Sequence, residues 1–67
     1  MSEIALNGKK HAIAENQTLA ALIEGLDLHK RRIAVVRNGN VVRREDYAAI
    51  VLADGDTVDI VHMVGGG

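Results

Sequence analysis

The sequence predicts an α+β domain: one mixed sheet of four to five short strands with one main helix packed on one face. Three observations carry that reading. Two Asn-Gly pairs, Asn7-Gly8 and Asn38-Gly39, lie between short runs of strand-like residues, the pattern of two-residue hairpin turns. Helical apolar spacing occurs once, around Leu19–Leu26. Sixty-seven residues leave room for one small domain.

The elements follow in order. Ile4 and Leu6 alternate with Glu3 and Ala5 ahead of Asn7-Gly8, so Glu3–Leu6 and Lys9–Ile13 are expected to pair as antiparallel strands. Asn16-Gln17-Thr18 offers capping oxygens for a helix that begins at Leu19. Leu19, Leu22, Ile23 and Leu26 recur at i, i+3, i+4 and i+7, one apolar face, and Gly25 stands where a left-handed residue would end the helix. Ile33-Ala34-Val35-Val36 is a continuous apolar run, as in an interior strand covered on at least part of both faces. Asn38-Gly39 turns it into Val41-Val42. Arg43–Ala49 reads as a short helical or 3₁₀ connection carrying Tyr47, and Asp54-Gly55-Asp56 as a turn. Thr57–Met63 is the last strand, with Val58 and Ile60 on one face and Asp59 and Val61 on the other. The order permits the first and last strands to lie side by side and parallel in the centre of the sheet, the β-grasp arrangement. The expected division is a β-grasp domain over 1–63 and a flexible C-terminal tail over 64–67.

Composition excludes several chemistries. The chain has 20 Ile, Leu and Val residues but no Phe, Trp, Cys or Pro and a single Tyr. Without cysteine there is no disulfide framework, thiolate zinc site or cysteine nucleophile. Thr18 suits a helix cap and Thr57 a strand start, and neither has a His/Asp pair at triad spacing. His11, His29 and His62 are scattered, and His11 shares strand parity with Ile13, which suits a half-buried structural histidine. Asp54 and Asp56 are too few carboxylates for a calcium loop. No bound metal or cofactor is expected. A net charge of −1 gives no field to gather nucleic acid, and the absence of stacking aromatics argues the same way. Met1-Ser2-Glu3-Ile4 lacks a basic start, and no apolar run approaches a membrane span. A cytoplasmic protein is expected.

Two basic groups remain, Lys30-Arg31-Arg32 and Arg37 with Arg43-Arg44. They read as a solvated surface or as docking sites for an acidic partner. Val61 and Met63 share the second face of the last strand, and they are either core contacts or a protein-binding patch.

The chain closes on Met63-Val64-Gly65-Gly66-Gly67. A glycine run buries no side chain and costs backbone entropy, so it adds nothing to a core. It is either a frayed end without a role or a thin strand of backbone able to thread a narrow channel and present its carboxylate. A carboxylate is a poor electrophile until it is activated, most simply by ATP as an acyl-adenylate. In that case other enzymes work on the tail as a handle.

Over almost its whole length the chain resembles the ThiS family, the small sulfur carriers of thiamine biosynthesis. The resemblance lies in Leu6-Asn7-Gly8, Thr18-Leu19, Val36-Arg37-Asn38-Gly39 with Val41-Val42, Arg44 and Tyr47. It continues through Leu52-Ala53-Asp54-Gly55-Asp56, Val58-Asp59-Ile60-Val61 and the terminal glycines. It implies the ubiquitin-like β-grasp fold and makes Gly67 the site of adenylation and sulfur attachment, with Gly65 and Gly66 threading into partner active sites. Apart from the resemblance, Val61, Met63, Arg43 and Arg44 stand as the candidate partner-docking residues. The partners that the resemblance implies are an adenylating, E1-like enzyme using ATP and magnesium, a cysteine desulfurase as sulfur source, and thiazole synthase as acceptor. The chain itself would be a carrier rather than an enzyme. It departs from the family in Arg43, where Pro is usual, and Tyr47, where Trp is frequent. Carriers for molybdopterin share the fold and tail but precede the glycines with a Pro-rich segment, whereas this chain has no Pro. Conjugation to proteins, as by ubiquitin, and a plain β-grasp interaction module are the other readings.

Overall fold

The structure is a computed structural model that describes residues 2–28 and 32–62. Five strands and one α-helix follow in the expected order: β1 (Ser2–Leu6), β2 (Lys9–Ile13), α1 (Leu19–Gly25), β3 (Ile33–Arg37), β4 (Asn40–Val42) and β5 (Thr57–His62), with a 3₁₀ turn at Arg44–Asp46. The sheet order is β2-β1-β5-β3-β4. β1 and β5 are parallel neighbours at its centre, and every other pairing is antiparallel.

Both hairpins turn as their Asn-Gly pairs require. Asn7 and Gly8 have φ of 50° and 82°, and Asn38 and Gly39 have 50° and 85°, so both central residues are left-handed, as in a type I′ turn. Asparagine tolerates this region because its short polar side chain bonds locally.

The helix start is satisfied bond by bond. The Thr18 side chain accepts the Ala21 N–H at 3.1 Å, which is the cap the sequence suggests. The N–H groups of Leu19 and Ala20 donate to Ile50 O and Tyr47 O at 2.9 and 3.0 Å, so the 47–51 segment accepts from donors the helix itself leaves free. Asn16 does not cap; it takes a left-handed turn at φ 61°. Gln17 accepts the Ala14 N–H at 2.7 Å.

At the other end the left-handed residue is Asp27, at φ 57°, and not Gly25. The helix runs one residue past the expected stop. Asp27 N–H then donates to Glu24 O and Leu28 N–H to Ile23 O, the paired bonds of a Schellman cap. Leu28 follows, packed on the core, so the apolar contact that accompanies this cap selects the stop.

The core lies between α1 and one sheet face. It joins Leu19, Leu22 and Ile23 of the helix to Ile4, Ile13, Ile33, Val35, Val58 and Ile60 of the sheet, closed by Tyr47 and Leu52. Burial raises the Tyr47 phenol above its ordinary pKa, and neighbouring Arg44 pulls it back part of the way. No described residue covers the sheet's other face in a second layer, and there Val61 and Val41 are 57% and 76% exposed.

Candidate functional site

The candidate site is the end of β5 and the chain that follows it. Gly65, Gly66 and Gly67, with Met63 and the expected domain boundary at 63/64, lie outside the described residues. The structure does describe the strand that leads there and how it is held.

The start of β5 is locked from both sides. Ala5 N–H donates to Asp56 O and Asn7 N–H to Val58 O, each at 2.9 Å, and Asn38 N–H donates to Thr57 O at 2.8 Å. Thr57 N–H in turn donates to Asn38 Oδ1 at 2.8 Å. Beneath this sits Asp56, 8% exposed. Its carboxylate accepts from Ala53 N–H at 2.9 Å, Asn38 Nδ2 at 3.1 Å and Arg37 Nε at 3.1 Å. Burial acts to raise the Asp56 pKa, but these three donors and the Arg37 charge outweigh it, and the carboxyl titrates below the ordinary carboxylate value. Gly55 makes the turn at φ 87°. Asp54 Oδ1 takes the Glu3 N–H at 2.8 Å, which fixes the same loop to β1.

Sequence reasoning reads Asp54-Gly55-Asp56 as a turn, which it is, but does not reveal Asp56 as the residue that anchors β5. It also groups Arg37 with Arg43 and Arg44. The structure separates them: Arg37 is committed to Asp56, while Arg43 and Arg44 are exposed. Arg43 makes only a long, open contact with Glu45, at 4.0 Å. Of the first basic group, Arg32 is exposed and residues 30 and 31 lie outside the described part. The signal for Asp56 was faint: an Asp two residues after another, with Arg37-Asn38 far upstream.

The end of β5 is presented differently. Val61 and His62 are both exposed. Val61 lies on the face away from the helix, so it is no core contact. Arg43 follows β4 in extended conformation, φ −74° and ψ 146°, on the side of the sheet where β3 pairs with the end of β5. His11 is half-buried, in register with Ile4. The described residues contain no group of three or more His, Cys, Asp or Glu side chains able to hold a metal. None of their helices is long and apolar enough to cross a membrane.

Comparison with known proteins bears on this end directly. The sequence model of the ThiS family matches residues 2–67. A protein of Magnetococcus marinus named thiazole synthase is 42% identical over 65 residues, which make up 97% of this chain and 20% of that protein. The Bacillus subtilis sulfur carrier protein ThiS is 34% identical over 96% of this chain and 98% of its own length. Among solved structures, the thiamine biosynthesis protein ThiS of Geobacter metallireducens superposes with a TM-score of 0.83 at 31% identity, covering 97% of this chain and 99% of that one. The chain therefore spans a fifth of the thiazole synthase relative and nearly all of the free-standing carrier.

Proposed function

The chain belongs to the ThiS family, and on that footing we propose that it is a sulfur carrier of thiamine biosynthesis, loaded and unloaded at Gly67. The observation that carries the reading is the match running through residue 67 on a β-grasp whose last strand, β5, ends exposed at Val61 and His62. In this reading the chain is a carrier, and catalysis falls to its partners. An adenylating enzyme holding ATP and magnesium supplies the activation: a Gly67 carboxylate oxygen attacks the α-phosphate, and pyrophosphate leaves. The terminal sulfur of a persulfide, delivered through a cysteine desulfurase, then attacks the acyl carbon and displaces AMP. A thiol cleaves the resulting sulfur–sulfur bond, leaving the thiocarboxylate on Gly67 and a disulfide on the partner side. Gly65 and Gly66 carry no side chain to obstruct entry to either active site. The work is placed in the cytoplasm, where ATP and the desulfurase are at hand.

Thiazole synthase is the proposed receiver. A protein of that name contains a stretch matching 97% of this chain, which favours thiazole formation over molybdopterin or protein conjugation. The test is intact-mass analysis after incubation with the adenylating enzyme of the same organism, ATP, magnesium and a persulfide source. Replacement of one oxygen by sulfur is expected, and its absence contradicts the proposal.

A further inference from the structure

β5 begins as an interior strand and ends as an edge. On one side it pairs with β3 along nearly its whole length, from Arg37↔Val58 to Ile33↔His62. On the other side β1 pairs with it only at Ala5↔Thr57 and Leu6↔Val58. There β1 turns away at Asn7-Gly8, and the Asn7 side chain makes a last contact, taking the Ile60 N–H at 2.7 Å. Val58 O and Ile60 N–H thus both face β1. Backbone groups alternate sides with a period of two, so Ile60 O and the N–H and C=O of His62 face the same way. Among the described residues no strand lies there.

The true outer edges are defended and this one is not. Lys9 and Lys10 stand on outer strand β2, and outer strand β4 is only three residues long; charge and shortness are ordinary ways of blocking strand addition. The end of β5 offers Val61 and His62, with no Lys and no Pro.

We propose that the open edge at Ile60–His62 docks an extended backbone segment of the ATP-dependent enzyme that activates Gly67. The inference rests on the sulfur-carrier reading and deepens it. In that reading the working residue, Gly67, stands five positions beyond His62, a reach of about 17 Å if extended. A carboxylate presented at that distance needs its root held at the channel mouth. A glycine tail gives a partner no side chains to grip, whereas strand addition grips backbone and fixes the tail's direction. Exposed Val61, on the open face beside the edge, favours an apolar side chain on the incoming strand.

His62→Pro is the discriminating variant. It removes an N–H that β3 does not use, at a position where an edge strand tolerates proline, while His62→Ala keeps that N–H. Pyrophosphate exchange with the adenylating enzyme of the same organism should show kcat/KM about tenfold lower for His62→Pro, one hydrogen bond's worth. His62→Ala should stay near wild type. Amide exchange on the unaltered protein reads the same bond without any mutation. The His62 N–H should exchange fast in the free chain and at least about tenfold slower in the saturated complex without ATP. Equal kcat/KM for the two variants, or an unchanged His62 exchange rate in the complex, overturns the edge. A wild-type chain that is never adenylated overturns the carrier reading with it.

Discussion

The two ends of β5 are four residues apart and are built on opposite principles. At Thr57–Val58 the strand is bonded on both sides and rests on a buried carboxylate with three donors. At Val61–His62 it is bonded to β3 alone, and its side chains are in solvent. The first arrangement resists movement; the second leaves backbone and side chains available. The proposed carrier role calls for both, because a segment to be worked on by several enzymes has to project from a rigid root. Stability should therefore fall to mutations at the start of the strand, and partner chemistry to changes at its end and beyond.

The sharpest break of that contrast is deletion of Gly66 and Gly67. Thiocarboxylate formation is expected to vanish, while the unfolding midpoint in urea stays at the wild-type value. A large loss of stability would make the glycines structural.

Next in size is Asp56→Ala, which strands the Asn38, Arg37 and Ala53 donors. A loss of about 3 kcal/mol is expected from equilibrium unfolding. Acid should mimic it. The folded-state pKa of Asp56 is depressed, so its contribution is complete above the unfolded value of about 3.9. It is lost as pH falls through the folded pKa, because the unfolded chain binds the extra proton first. The wild type should lose stability below about pH 4, and Asp56→Asn should show a shallower slope there.

A paired comparison is milder. Val58 is fully buried and Val61 is 57% exposed. Val58→Ala should cost about 2 kcal/mol, and Val61→Ala less than about 0.5 kcal/mol. Equal costs would mean that the end of β5 is buried like its start.

Val61→Asp should likewise stay within about 0.5 kcal/mol of wild type in stability, with adenylation kcat/KM reduced severalfold. An unchanged kcat/KM would remove Val61 from the docking surface.

What the sequence disclosed was local. Asn7-Gly8 and Asn38-Gly39 announce their turns because few residues accept two successive left-handed positions. Thr18 announces its helix because a cap oxygen lies three residues from the N–H it accepts. The alternation of Val58 and Ile60 with Asp59 and Val61 sorts the two sheet faces. What stayed hidden was long-range. Asp56 takes donors from Arg37 and Asn38, 19 and 18 residues away, and Asn7 reaches Ile60 across 53 residues. No spacing rule encodes such pairs. They exist only once β1 and β3 flank β5, so Arg37 read alone was one more surface cation. Asp27 supplanted Gly25 as the left-handed stop for a related reason, since the contact of Leu28 with the core is tertiary. The role proposed for Gly67 is the converse: it is read from the order of residues and from kinship, and it rests on no described contact.

The central claim is that sulfur is carried at Gly67 and nowhere else on the domain. Fragmentation of the sulfur-loaded protein by tandem mass spectrometry locates it directly. The account predicts the oxygen-for-sulfur replacement on the fragment ending in Gly67, and its loss when thiazole synthase and its substrates are added. Sulfur found on any internal fragment, or retained at the terminus while thiazole forms, would contradict it.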